Sequence, residues 1–254
     1  MTPGDITAMT ILAASPFPAK TLLNDLTPDS GLALRRWTPN EFRRLVSSAV
    51  LGDAALDLAD GEIVDCDNRA LRLFNRDEYY SLADHGILGP DERTELIYGR
   101  IITRMSPIGR PHSIAVMKTT NALELAFGTG YSVEPQAALQ LGNGLEVQPD
   151  VMIVPGTSED YTDIPVPADV LLLVEVSDST LRYDRSTKAT LYAENAVADY
   201  WLVNIKSRTL EVRRQPENGV YVSVTISKAT EEVAPLAALN AVVRVADLLP
   251  IVRP

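Results

Sequence analysis

Two carboxylates stand at the ends of apolar, β-prone runs: Asp150 in VQPDVMIVP and Glu175 in DVLLLVEVSDST. The run before Glu175 holds no polar residue from Val170 to Val174, the pattern of a strand buried on both faces. An ionised Glu that closes such a run is costly unless a cation or donor meets it. The two runs are short enough to pair as antiparallel neighbours, with Asp150 opening one strand and Glu175 closing the next. Both acids then converge at one sheet edge, an arrangement suited to a divalent metal.

Lys188 is the third candidate. A helical lysine is ordinarily solvated, and Asp184 four residues earlier offers an ordinary ion pair. Yet Leu191, Tyr192 and Asn195 follow at three, four and seven residues, which places Lys188 beside an apolar stripe with its ammonium in reach of the sheet. His112 opens a helix on its inward face, where a packed or capping role competes with function. Glu95 in TELIYG is a further acid for the metal side, or a strand-edge charge. Arg185, at the start of the second helix, has the fork that meets a phosphate. Ser177 and Ser179 read as caps: there is no GxSxG elbow, and only two histidines exist. No Walker loop, dinucleotide fingerprint or His/Cys metal spacing is present.

The elements that must position these residues follow from local patterning. Thr38, Pro39 and Glu41 mark a helix start, with cap, first position and capping-box acid in order. TELIYGRIITRMS reads as a strand turned tightly around Gly99, and residues 111–127 as a helix with His112, Val116, Thr119, Leu123 and Ala126 on one stripe. YSVEPQAALQL and EVQPDVMIV are expected as two strands joined by the Gly142-Asn143-Gly144 turn. A Pro-rich loop covers 155–167. The Val170 strand follows, then a helix from about 184 to 195, then a hairpin around Lys206-Ser207. Residues 220–254 supply one or two more strands and an Ala-rich tail. The order predicts an α+β (mixed α/β) fold with a central mixed sheet flanked by helices.

An internal echo precedes this core. Residues 37–64 resemble residues 74–102: Glu41 corresponds to Glu78, Leu45 to Leu82, Leu51-Gly52 to Leu88-Gly89, and Leu58, Gly61 and Ile63 to Leu96, Gly99 and Ile101. We read a partial duplication of a helix–turn–strand unit. The expected organisation is a flexible N-terminal arm over 1–35, a partial repeat over 36–72, and the main domain over 73–254.

Composition bounds the function. Net charge is −11, which argues against a protein that coats nucleic acid broadly but leaves room for a local basic cleft. Cys66 is the single cysteine, so neither an internal disulfide nor a cysteine-held zinc is expected. No apolar run approaches membrane-spanning length, and no basic residue precedes the mild N-terminal apolar stretch. No membrane association or secretory signal is expected, and the cytoplasm is the expected location.

TELIYGRI, SPIGRPHSIAV, QPDVMIV and LLLVEVSDSTLRYDRSTKATLYAENAVADYWLVN resemble the Uma-two family of bacterial restriction-endonuclease-type proteins, over about residues 74–214. That family resembles the PD-(D/E)xK nucleases. The resemblance implies a restriction-endonuclease-like core, with Asp150 matching the first acid of the motif and Glu175 the second. Ser177 stands where the motif usually has lysine, and Lys188 on the following helix matches the family's substitute. Glu95 and His112 match accessory family positions.

The implied activity is metal-dependent DNA endonuclease chemistry. Asp150 and Glu175 would hold Mg²⁺ or Mn²⁺, Lys188 would act on the attacking water or the developing charge, and Arg110, Arg182 and Arg185 would form a nucleic-acid-binding rim. A homodimer is expected from the two active sites that symmetric double-strand cutting needs. Two other readings remain open: a catalytically inactive nuclease-fold module that binds nucleic acid or protein, and a structural homo-oligomeric sheet protein.

Overall fold

The computed structural model of this chain describes residues 24–48, 50–67, 69–105 and 109–251. Most of the expected N-terminal arm, residues 1–23, lies outside that set. Within it, the arm ends earlier than residue 35: Leu32–Leu34 forms strand β1 and pairs antiparallel with residues 102–104. The reason is local, because Leu32 finds a buried place beside Ile102 in the core.

Two helix–hairpin units follow. The first is α1 (Pro39–Ser47), β2 (Leu56–Ala59) and β3 (Glu62–Asp65); the second is α2 (Arg76–Asp84), β4 (Thr94–Ile97) and β5 (Arg100–Arg104). Both helices open on a reciprocal capping box. Thr38 and Glu41 exchange hydrogen bonds in α1, and Asn75 and Glu78 do so in α2. Leu45 and Leu82 are both fully buried, and Gly61 and Gly99 both turn their hairpins at positive φ. The two units share one core, in which the Trp37 and Phe74 rings stack at 5.6 Å. Gly99 admits no side chain: an added Cβ would lie 2.7 Å from that of Leu73.

The long helix α3 (Arg110–Phe127) precedes β6 (Tyr131–Pro135), β7 (Leu139–Gly142), β8 (Leu145–Val147), β9 (Val151–Pro155) and β10 (Leu172–Ser177). Here the structure corrects the expectation of two long strands. Each breaks in two, at Gln136 (φ 53°) and just before Asp150, where Pro149 supplies no backbone donor. The Gln136 N–H bonds the Asp150 carbonyl at 3.1 Å and closes the neck. The hairpin around Gly142 thus leaves its parent sheet. It joins a five-stranded sheet ordered β1-β5-β4-β8-β7, while β6 and β9 stay in a six-stranded sheet ordered β13 (Val220–Lys228), β12 (Thr209–Glu217), β11 (Asp199–Asn204), β10, β9, β6.

The remaining elements complete that second sheet. After β10 come α4 (Leu181–Tyr183), a π-helical turn (Asp184–Lys188) and α5 (Ala189–Glu194). Then β11 (Asp199–Asn204) pairs parallel with β10, and β12 (Thr209–Glu217) and β13 (Val220–Lys228) continue the sheet antiparallel. Two short strands, β14 (Glu232–Val233) and β15 (Val243–Arg244), and helix α6 (Val245–Leu248) end the described chain.

The central strands of the six-stranded sheet are covered on both faces. Residues of α3 and α6 pack on Val151, Val174, Trp201 and Val212, and the other face meets α4, α5 and the five-stranded sheet through Leu173, Leu202, Tyr192 and Ile97. This mixed α+β arrangement is the fold class expected from the sequence.

Candidate functional site

Antiparallel pairing of β9 with β10 sets Val151 against Val174. Asp150, one residue before Val151, therefore lies across from Glu175, one residue after Val174. The pleat holds them together: the Val176 N–H donates to Asp150 Oδ2 at 2.8 Å. Alternation along β10 turns Glu175 to the same face as Leu173, toward α5 and the five-stranded sheet. Asp150 is 6% exposed and Glu175 4%.

Lys188, 3% exposed, closes the π-helical turn and reaches this face. Its Nζ donates to Glu175 Oε1 at 3.1 Å and to Glu95 Oε1 of β4. Tyr192, one helical turn on, donates its hydroxyl to Glu175 Oε1 at 2.6 Å. Glu95 is held further by the Gln148 N–H at 2.9 Å and the Tyr183 hydroxyl at 3.4 Å. The split of the β7–β8 hairpin makes this contact, because β8 carries residue 148 to the edge of β4. Lys188 does not pair with Asp184 as helical spacing offered. Asp184 is buried and accepts from the Thr180 hydroxyl at 2.6 Å.

His112, on the first turn of α3, brings Nε2 to 3.2 Å from Asp150 Oδ2, while its buried Nδ1 has no partner among the described residues. Ser177 carries a second orphaned buried atom, its hydroxyl. Position 177 is thus too enclosed for the surface role of a cap.

Charge in this pocket is unbalanced. Burial pushes Glu175 up to about 7; Lys188 opposes the rise, and the Asp150 and Glu95 charges add to it. Burial, then the Glu175 charge, pushes Asp184 up to about 8. Burial also works against ionised Asp150, but His112, the Val176 N–H and Arg104 together hold its carboxyl below the usual range. Burial disfavours the Lys188 ammonium, yet Glu175 and then Glu95 more than compensate and hold its pKa above the ordinary lysine value. One lysine meets the charges of three carboxyls, Glu175, Glu95 and Asp184, and one oxygen each of Asp150 and Glu175 is left without a hydrogen bond among the described residues. Among the described residues no three of His, Cys, Asp and Glu converge to enclose an ion. The donor set is two hard carboxylates that leave several positions to water, the pattern Mg²⁺ accepts.

The structure thus gathers Asp150, Glu175, Lys188, Glu95 and His112. Of the three arginines expected at the rim, two are engaged with carboxylates and one is free of them among the described residues, two residues before His112. Arg110 is exposed at the start of α3. Arg182 pairs with Asp25 at 3.1 Å, and Arg185 pairs with buried Glu211, which Arg213 also meets at 2.8 Å.

Asp25 was hidden from sequence reasoning by its place in the expected arm. It is 2% exposed and accepts from Thr187 at 2.6 Å and from Ser186, so it pins the π-helical turn that aims Lys188. Tyr192 was visible only as a stripe residue, although its place four beyond Lys188 put it on the same face.

Residues 76–247 match the Uma2 family, described as "putative restriction endonuclease". Among solved structures, the chain is similar to a protein described as a putative nuclease belonging to DUF820 from Anabaena variabilis. The similarity has a TM-score of 0.53 at 16% identity over 69% of this chain and 97% of that one, a likeness of fold. No protein with a curated description matches. Among the described residues no helix is long and apolar enough to cross a membrane.

Proposed function

The chain belongs to the Uma2 family of putative restriction endonucleases, and from the geometry of its site we propose that it is a metal-dependent endonuclease hydrolysing phosphodiester bonds in DNA. One observation carries the reading: a buried ammonium, Lys188, is held between Glu175 and Glu95 beside Asp150, at the apposed ends of two core strands. Asp150 and Glu175 are the residues that would hold Mg²⁺ or Mn²⁺. Such an ion, when bound, supplies Lewis acidity toward the phosphate and a water of lowered pKa.

The chain's own residues do the rest. His112 and the Val176 N–H fix the Asp150 carboxylate, and Tyr192 fixes that of Glu175. Glu95, braced by Gln148 and Tyr183, keeps Lys188 charged and directed. Lys188 then stands ready to donate to the attacking water or to oxygen that gains charge in the transition state.

A second copy of the chain would supply the second active site for double-strand cutting. The supporting feature is β13, which ends the six-stranded sheet and exposes Val220, Val222, Val224 and Ile226 at alternate positions. No charge interrupts the strand between Glu217 and Lys228, so it lacks the usual guard against edge pairing. Antiparallel pairing about Ser223 would set Val222 against the partner's Val224, Val220 against the partner's Ile226, and Lys228 near the partner's Glu217.

The test is incubation of the purified chain with plasmid DNA and Mg²⁺ or Mn²⁺, beside Asp150→Ala and Glu175→Gln. Cleavage by the wild type that both substitutions abolish is the expected result. A catalytically silent binding module is the second reading, favoured by the full engagement of the Lys188 ammonium with Glu95, Glu175 and Tyr192. It predicts no cleavage under any metal and overturns the endonuclease reading if observed.

A further inference from the structure

We propose that Arg93 and Arg104 form the site that grips the DNA backbone beside the acid pair, an inference that rests on the endonuclease reading for its substrate. The Arg104 N–H bonds the Arg93 carbonyl at 3.0 Å, one step beyond the Thr94–Thr103 pair, so the two arginines are directly opposed on β4 and β5. Like charges directly opposed across strands destabilise a sheet. Neither guanidinium makes a hydrogen bond or ion pair among the described residues, whereas Arg35, Arg76, Arg213 and Arg214 each meet a carboxylate. In a chain with 34 acidic residues against 23 basic ones, a half-buried arginine pair that feels the Asp150 charge but hydrogen-bonds no carboxylate among the described residues is placed for an external anion.

Location names the anion. Arg93 and Arg104 line one cleft with Glu95, Asp150, Gln136 and Gln148. Two acids, Glu95 and Asp150, and two guanidinium forks therefore share one lining with the exposed residues Gln136 and Gln148. A phosphodiester fits this polarity: its non-bridging oxygens accept paired N–H bonds from a guanidinium, and the acids receive the cation that a phosphate needs to approach them. A free carboxylate substrate would satisfy the forks but would give the acids nothing to act on. The arrangement also resolves the conflict between an acidic chain and a polyanionic substrate, since the positive charge is local to the cleft.

The pair is legible in hindsight from the hairpin. Residues 93 and 104 are equidistant from the Tyr98-Gly99 turn, so a two-residue turn at that place must oppose them.

The experiment is fluorescence anisotropy with a labelled DNA duplex in Ca²⁺, which would fill the acid pair without the Lewis acidity of Mg²⁺, across a range of KCl. The proteins are the wild type, Arg93→Gln, Arg104→Gln, the double variant, and Arg69→Gln as a control for loss of one exposed charge outside the cleft. The double variant is expected to bind about tenfold or more weakly than wild type. Its plot of log affinity against log salt is expected to be shallower by about two, one for each phosphate that an arginine no longer neutralises. Arg69→Gln is expected to bind as wild type. A thermal melt separates a weaker grip on DNA from a damaged fold: removing opposed like charges leaves the double variant as stable as wild type or more so. Double-variant binding with wild-type affinity and salt slope overturns the proposal, as does a wild type that binds no duplex. Plasmid cleavage assayed in parallel keeps the two readings apart. A wild type that binds through the arginines and never cuts removes the endonuclease reading alone, and a double variant that binds and cuts as wild type removes this one alone.

Discussion

Glu175→Gln removes one negative charge from a pocket that holds too many. In the metal-free protein, burial and the neighbouring acids lift this carboxyl from its ordinary 4.5 to about 7. A folded state that binds the proton more tightly than the unfolded chain has that contribution in full below pH 4.5, and loses it as pH rises through 7. At pH 8 the ionised carboxylate costs the folded state about 3 kcal/mol, from about 1.4 kcal/mol for each pH unit between those values. Glutamine keeps the shape and an acceptor for Lys188 and Tyr192, and gives up about 1–2 kcal/mol of charge-assisted hydrogen bonding.

The variant is therefore expected to be about 1–2 kcal/mol more stable than wild type at pH 8 in EDTA, which raises Tm by roughly 2–8 °C for a chain of this size. At pH 5 the advantage vanishes. Added Mg²⁺ reverses the ranking, because wild type gains binding energy that the variant lacks. The assay is differential scanning fluorimetry at pH 5 and pH 8, with EDTA or Mg²⁺. A variant less stable than wild type at pH 8 in EDTA, or one that Mg²⁺ stabilises equally, would refute the account of the pocket as an acid cluster short of a cation.

Lys188→Met leaves Glu95 and Glu175 without their ammonium. It is expected to cost about 3–5 kcal/mol at pH 8 and less at pH 6, where Glu175 protonates, as read by urea denaturation, and to abolish cleavage. Asp25→Asn keeps the volume but weakens the hold on Ser186 and Thr187; about 1–3 kcal/mol of stability is expected to go. Because the π-helical turn carries Lys188, kcat should fall while duplex affinity stays unchanged. Val222→Lys puts a charge in the centre of the exposed β13 stripe and is expected to convert a dimer to monomer in light scattering, with the far-UV circular dichroism spectrum of wild type. A monomeric wild type would remove that interface.

Some of this protein is written in nearest-neighbour chemistry. The apolar run before Glu175, the proline before Asp150 and the capping boxes at Thr38 and Asn75 are properties of contiguous residues. They fixed the β9–β10 pair, α1, α2 and the apposition of the two acids without reference to anything distant. The family motif placed Lys188 on the helix, and α5 supplied the stripe that turns it inward. These elements read well because strand alternation and helical period act over a few residues.

What the tertiary structure decided depends on separations that no local pattern encodes. The chain order of β6 to β9 suggested one hairpin, but a positive φ at Gln136 sends its tip into a second sheet, and only there does Gln148 meet Glu95. Asp25 reaches Ser186 and Thr187 across more than 160 residues. Arg182 and Arg185, expected at a nucleic-acid-binding rim, pair with Asp25 and Glu211. Ion pairs and pocket walls are chosen by whichever side chains packing brings within a few ångströms, and that choice is made by the whole fold.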